Sequence, residues 1–396
     1  MSVISAVPRS QSTEISAQLA ELRRRQVEHR FWNNPLLAGF AQGAFSKEDL
    51  TYIFSQYHHY SKSFTKFIAA AMANCESDLF RAQLSENLWE EGGGCEPERR
   101  HAQIFRNFLT KSLGVASPET IDYAPFTRNF VREYLVTCLR AEPVAGAAFL
   151  SLGTEGIVAR MYQIMLSGLR AAEIPEDELE FFHIHISCDD EHAVTLENMM
   201  ASYADQPGWF DACANALDRA LDLRGEFFSH IFLALQANRI GPILARMQGH
   251  KSLAIGMPDS ALAHHAGGPS ETLYENENER LNIKFTVERL PVEAEVLDPR
   301  MVRIPAGKFN EKHKHAHETL IHILEGSGQV LVDDRVIRVN PGDSVLVPRW
   351  ALHQTQNLGA TEMRFLAVTD FKLSQRAYLG NPTDYRLGVD ADARHR

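Results

Sequence analysis

The stretch FFHIHISCDDEHAVTLENMM, residues 181–200, constrains this chain more than any other. Its His185, Asp189 and His192 fall at i, i+4 and i+7, and at 3.6 residues per turn those side chains lie along one helical stripe. Three metal-capable groups on one stripe are what a helix needs to hold a cation inside a bundle. His183, Asp190 and Glu191 point off the stripe and read as solvated or supporting groups.

The chain around this stretch reads as helical. Residues 13–29 form a polar helix rich in Glu, Gln and Arg, and Ser46 followed by Asp49 predicts a capping box opening a long helix through LTYIFSQYHHYSKSFTKFIAAAMANC. Further helical patterns cover about 77–91, 97–112, 126–140, 143–170, 176–203 and 209–238, with no convincing strand between them. Residues 1–248 therefore predict an all-α helical bundle. Residues 249–281 are poor in large apolar side chains and rich in Gly, Pro, Ser, Ala, Asn and His, which predicts an interdomain linker. From 282 to 396 the pattern changes to short strands such as LNIKFTVERL, TLIHILEG, GQVLVDD and MRFLAVTDF, separated by Gly, Pro and Asp turns. That spacing predicts a small antiparallel β-barrel or jelly roll. The expected fold class is thus α + β in two domains, in keeping with a length of 396 residues, which exceeds the size at which a single core stops growing.

Charge narrows the partners. A formal net charge of -11 argues against nucleic acid and anionic membrane surfaces, because phosphate binding needs a basic face. A small-molecule substrate is the expectation. The first thirty residues lack the charged and apolar regions of a secretory signal, and no uninterrupted apolar run reaches the roughly 18 residues of a membrane helix. Five scattered cysteines suit reduced thiols in a cytoplasm better than a disulfide framework. With 17 histidines and no CxxC, any metal is held by imidazole and carboxylate.

Two further segments complete a helical metal set. Glu91 ends a helix that Gly92-Gly93-Gly94 must break, and Pro97 suits the first turn of the next helix, which carries His101. The break lets Glu91 and His101 approach one point from different directions. Glu155 is a carboxylate within an otherwise apolar, small-residue stretch, where burial without a counter-charge is costly and a metal explains it. Three carboxylates and three imidazoles suit two iron or manganese ions with open positions for oxygen.

The pattern E-E-G-G-G-x6-H, a lone Glu about fifty residues on, and H-x3-D-x2-H resembles the heme-oxygenase-like diiron oxidases, over most of residues 30–240. Carried over residue by residue, the resemblance implies that Glu91, His101, Glu155, His185, Asp189 and His192 hold two Fe(II) ions, with O2 as cosubstrate. Members that oxygenate nitrogen often present a further carboxylate from the first core helix. The matching position here, near Thr65, has none; His58, two turns back on the same face, is the candidate extra ligand or pocket residue.

The second half carries GKFNEKHKHAHETLIHILEG and PGDSVLVPRWALHQTQN, which resemble the two cupin motifs. Gly307, His313, His315 and Gly326 match the first, with Thr319 standing where the motif has Glu. Gly342, Pro348, His353 and Asn357 match the second, with Trp350 in place of the small residue. Alternating side chains on one strand point the same way, so His313 and His315 can share an ion with His353 from a facing strand. Such a neutral three-histidine site suits one Fe(II) or another divalent metal. His317 and His322 lie off this set.

A helical diiron oxidase fused to a cupin resembles the enzymes of streptozotocin-type pathways that build an N-nitroso group on a guanidine. The resemblance implies O2-dependent oxygenation of a small amine or guanidine in the helical domain, an external electron donor, a second oxidation or rearrangement in the cupin, and pairing into a homodimer. Two other expectations stand beside it. One is C–C cleavage or desaturation of an amino or fatty acid with a regulatory cupin, and the other is a non-catalytic metal or ligand sensor. A thiaminase-like hydrolase on the same scaffold would rely on a cysteine rather than this ligand set.

Overall fold

The computed structural model describes residues 9–187, 191–254, 256–265, 267–268, 270–380 and 383–386. The chain divides into two compact units, Met1–Leu235 and Gln236–Arg396. The first is helical and the second is an antiparallel sheet structure, an α + β arrangement in two domains.

The helices run in the order α1 (Arg9–Glu28), α2 (Pro35–Ala41), α3 (Lys47–Ser61), α4 (Phe64–Ala73), α5 (Asp78–Glu91), α6 (His101–Lys111), α7 (Pro125–Arg140), α8 (Pro143–Ser151), α9 (Val158–Ala171), α10 (Glu180–Ser187), α11 (Glu191–Ala201) and α12 (Trp209–Gln248). Ser46 caps α3 as its sequence predicts: its Oγ accepts from the Asp49 N–H at 3.2 Å, while the Asp49 carboxylate accepts from the Ser46 N–H at 2.8 Å. The aromatic core centres on Phe54, whose ring lies 5.2–6.3 Å from those of Phe40, Phe105, Phe108 and Phe182. Pro143–Ala171 is long and apolar enough to cross a membrane by length and composition alone, but 67% of that window is buried within the protein, as a core segment is.

Two helices expected to be continuous are broken, and each break has a local cause. Between α3 and α4 the Ser63 N–H closes on the Tyr60 carbonyl at 2.9 Å, a tighter bond than the α-helical one, which ends the first helix. Between α8 and α9 the expected helix over 143–170 opens around Glu155. Gly153 there lies so close to α12 that an added Cβ would stand 2.2 Å from the Ala220 Cβ and 2.9 Å from the Phe149 carbonyl oxygen. Thr154 Oγ1 then donates to that same Phe149 carbonyl at 2.9 Å, taking the place of a helical partner. The consequence is functional: Glu155 begins a separate 3-10 turn, Glu155–Ile157, instead of sitting in mid-helix.

One buried charge sets the middle of the helical unit. Arg224 of α12 is fully buried, and its Nη2 donates to Tyr60 Oη at 2.7 Å and Tyr134 Oη at 3.1 Å, with both rings beneath the guanidinium. Its Nε and Nη1 have no hydrogen-bond partner.

The second unit contains β1 (Glu271–Asn278), β2 (Ile283–Arg289), β3 (Asp298–Ile304), β4 (His313–His315), β5 (Thr319–Glu325), β6 (Gly328–Val332), β7 (Arg335–Val339), β8 (Ser344–Val347), β9 (His353–Asn357), β10 (Met363–Thr369) and β11 (Thr383–Arg386). Six strands pair in the order β1-β2-β3-β10-β5-β8 and five in the order β11-β4-β9-β6-β7. Their inward side chains, among them Ile283, Val302, Ile304, Ile321, Ile323, Val330, Val345, Val347, Met363 and Phe365, form one apolar core. The span 249–281 is not the plain linker its composition suggested. It carries a short helix, Asp259–Leu262, and the edge strand β1, whose polar sequence ETLYENEN conceals its pairing with β2. Trp350, in the place of the cupin motif's small residue, has φ +61°, the left-handed conformation that a bulky side chain rarely adopts.

Two candidate metal centres

In the helical unit the glycine turn performs the convergence read from its sequence. Gly93 has φ +79°, and a Cβ on it would stand 2.5 Å from the Arg100 nitrogen, so only glycine lets the chain double back between α5 and α6. Glu91 at the end of α5, His101 at the start of α6 and His185 on α10 are thereby brought together, with one ligand atom from each lying within 4.8 Å of the others. The His185 Nδ1 lies 2.6 Å from the Phe181 carbonyl oxygen, which fixes the ring and leaves Nε2 as the ligating atom. The His101 and His185 rings meet edge to face at 4.7 Å.

The pair Glu91–His101 tests whether a cation fits. Glu91 Oε2 stands 3.0 Å from His101 Nδ1, an ion-pair distance, yet this buried nitrogen has no partner of hydrogen-bond geometry. The atoms are close without hydrogen-bond geometry. Two adjacent ligands of an octahedral ion with bonds of about 2.1 Å are themselves separated by about 3.0 Å. The arrangement therefore fits two atoms facing a common ion.

The other expected ligands stand as follows. Glu155 is half-buried at the start of its 3-10 turn, which packs on α11, the helix carrying His192; it is not one of the three converging residues. Asp189 and the His192 side chain lie outside the described residues. His58 is fully buried, and burial, reinforced by Lys62 and Arg106, pushes its pKa down to about 3. Its Nδ1 lies 2.9 Å from Tyr123 Oη, and its ring is parallel to that of Phe105, which in turn meets Phe181 edge to face at 4.7 Å. Thus two aromatic rings, Phe105 and Phe181, stand between His58 and His185. Tyr162 completes the wall, with its ring 5.6 Å from His185 and its hydroxyl 2.9 Å from that of Tyr57.

In the sheet unit His313 on β4 pairs directly with His353 on β9, and His315 follows on the same face. One ligand atom from each lies within 4.8 Å of the others. Every ring is held alike: His313 Nδ1 lies 3.0 Å from the Glu311 carbonyl, His315 Nδ1 2.9 Å from that of His317, and His353 Nδ1 2.9 Å from that of Ala351. Three Nδ1–H donors spent on backbone leave three Nε2 lone pairs for one ion. Burial, then the neighbouring imidazoles, holds His315 at about 2, and burial also lowers His353. Neutral imidazoles are the form that ligates metal.

The remaining motif positions surround the three histidines. Asn357 braces the following turn, donating to the carbonyls of Ile304 and Thr361 at 2.9 and 2.8 Å. Thr319, in the glutamate position, presents a buried hydroxyl with no hydrogen-bond partner. His317 stacks on His315 at 3.5 Å and stands outside the converging set. A cavity of about 270 Å³ opens over the histidines, lined also by Tyr274, Arg289, Arg300 and Glu311. Sequence reasoning missed these last four. Tyr274 was not legible, because its strand was read as linker.

Comparison with known proteins agrees in outline. Residues 51–225 match the family described as an iron-containing redox enzyme, and residues 300–369 match the cupin domain. Among solved structures, a cupin-2 domain protein of Rhodospirillum rubrum is 22% identical, covering 33% of this chain and 84% of that one, with a TM-score of 0.26. A cupin 2 conserved barrel protein of Rhodopseudomonas palustris is 24% identical over 32% of this chain and 80% of its own, with a TM-score of 0.25. The uncharacterized protein MJ1618 of Methanocaldococcus jannaschii is 31% identical over 67 residues, which are 17% of this chain and 54% of that protein. The chain thus spans about half the length of that curated relative. The two family matches support an iron oxidoreductase.

Proposed function

We propose that this chain is an O2-dependent non-heme iron oxygenase acting on a small nitrogen-containing molecule, an amine or guanidine. In this reading Glu91, His101 and His185, with Glu155, Asp189 and His192, hold two Fe(II) ions, and His313, His315 and His353 hold a third in the barrel. The irons supply the reduction of O2 that no side chain can perform. N-Hydroxylation balances as amine plus O2 plus two electrons and two protons, giving hydroxylamine plus water. An external donor therefore supplies the electrons. A second oxidation or rearrangement in the barrel completes an N-nitroso-type sequence.

The chain's own residues do the rest. The Glu91 carboxylate offsets positive charge, the carbonyls of Phe181, Glu311, His317 and Ala351 orient four imidazoles, and the aromatic wall of Phe105, Phe181 and Tyr162 excludes water. The observation that carries the proposal is the double convergence of ligand atoms, one set per unit. That aromatic wall equally favours a second reading, C–C cleavage or desaturation of an amino or fatty acid at the same centre. We further propose a homodimer, without nucleic-acid or membrane partners.

The test is a metal count on the full chain after anaerobic Fe(II) loading, followed by O2 uptake. Three irons per chain are expected, falling to two in His313→Ala/His353→Ala and to one in Glu91→Ala/His185→Ala. O2 uptake with amines or guanidines and not with fatty acids supports N-oxygenation, and the reverse selects the second reading. One iron per chain, lost only with the barrel histidines, overturns the helical centre.

A further inference from the structure

We infer that the barrel cavity binds a small uncharged ligand with a hydroxyl or carboxamide at each end of an apolar body, held by Thr319 on one sheet and Thr355 on the other. This goes beyond the function proposed above, since it stands whether the barrel transforms the ligand or only senses it.

Both threonines line the cavity over the three histidines, and both are more than nine-tenths buried. Thr319 lies on β5 in the six-stranded sheet, opposite Thr369 of β10 and Val347 of β8. Thr355 lies on β9 in the five-stranded sheet, two residues after His353 and hence on the same side of the strand. The two side chains therefore belong to different walls of one cavity.

Neither Oγ1 has a hydrogen-bond partner in the protein. Five threonines are buried among the described residues, and the other three all donate: Thr127 to the Gln56 side chain at 2.7 Å, Thr154 to the Phe149 carbonyl at 2.9 Å and Thr369 to the Asp298 carbonyl at 3.4 Å. The two idle hydroxyls are thus both in the cavity wall. The backbone of Thr355 is satisfied, its N–H donating to Asn310 Oδ1 at 2.6 Å, so only the side chain lacks a partner. His317, stacked on His315, adds Nδ1 to the same lining as a third unpartnered atom.

The idle groups are neutral, and that selects the ligand. A hydroxyl both donates and accepts, as does a ligand hydroxyl or carboxamide, whereas a carboxylate only accepts and an ammonium only donates. Burying an ion against neutral hydroxyls is costly. The charged side chains of the lining are engaged within the protein: Arg289 and Arg300 bond to Asp298, and Glu311 accepts from Tyr274 and Asn276. Rotation about χ1 exchanges the places of a threonine's hydroxyl and methyl, and with no bond holding it either hydroxyl can turn to meet a ligand. Phe285, Val302, Ile321 and Phe365, all buried, line the same cavity and suit an apolar body. A volume of about 270 Å³ suits a metabolite smaller than a drug. A site so built discriminates against analogues lacking the matching groups.

The experiment is calorimetric titration of the Fe(II)-loaded full chain, kept anaerobic, with α,ω-alkanediols from 1,4-butanediol to 1,8-octanediol. The best of these is compared with the 1-alkanol, the α,ω-dicarboxylate and the α,ω-diamine of the same length. The diol should bind about fivefold or more tighter than each. In Thr319→Val/Thr355→Val, where methyls of equal size replace both hydroxyls, the preference for diol over alkanol should vanish. Because those hydroxyls have no partner in the ligand-free protein, the melting temperature of this variant without ligand should not fall. A dicarboxylate or diamine tighter than the diol, a diol no tighter than the alkanol, no binding by any of the four, or an undiminished preference in the double variant overturns the proposal. A lower melting temperature in the double variant overturns it as well, since the hydroxyls would then be structural.

Discussion

Acid should unfold the metal-free barrel through its buried imidazoles, and the size of the effect can be worked from the structure. His315 titrates at about 2 and His317 at about 3, against 6.5 in the unfolded chain, with burial the chief cause in each and their proximity to one another and to Arg300 adding to it. Both folded values are depressed, so the unfolded chain binds more protons below pH 6.5, and stability present above 6.5 is lost as pH falls. Between pH 7.5 and 5.0 each histidine costs about 2 kcal/mol, and the pair about 4 kcal/mol. The measurement is guanidinium unfolding of the iron-free full chain at both pH values, following the barrel transition. His317→Asn should retain only half of that pH dependence, because one of the two imidazoles is gone. A barrel whose midpoint is the same at both pH values, or a His317→Asn variant with the full dependence, would refute the account of neutral, buried imidazoles.

Other outcomes follow from single positions. Gly153→Ala should cost roughly 1–3 kcal/mol of helical-unit stability by overpacking against Ala220 and the Phe149 carbonyl; an unchanged thermal melt contradicts the packing. Trp350→Gly relieves a left-handed conformation worth about 1–2 kcal/mol and loses an edge contact with Tyr378 worth about 0.5–1.5 kcal/mol, so the barrel's midpoint should barely move, and a large drop would show the Trp350 ring to be structural. Arg224→Met removes a buried cation with two unsatisfied nitrogens, and urea unfolding should show at most a small loss of stability; a loss near 4 kcal/mol would mean that its bonds to Tyr60 and Tyr134 outweigh its desolvation.

Spacing alone determined a good deal about this protein. The glycine run after Glu91, the capping residues at Ser46 and Asp49, and the alternation of His313 and His315 are local signals, because helix periodicity, strand periodicity and left-handed turns are properties of a few neighbouring residues. What sat beyond them depended on distant partners. The break that sets Glu155 at the head of its own turn exists because α12 presses on Gly153, a contact spanning 67 positions from 153 to 220. The strand over Glu271–Asn278 is polar and becomes a strand only through its pairing with β2, and with it come Tyr274 and Asn276 to hold Glu311. The bonds of Arg289 and Arg300 to the buried Asp298 are likewise invisible in the chain order, since they join two strands through the fold. Only the folded chain decides which side chains lose water, and with it which polar groups must find a partner.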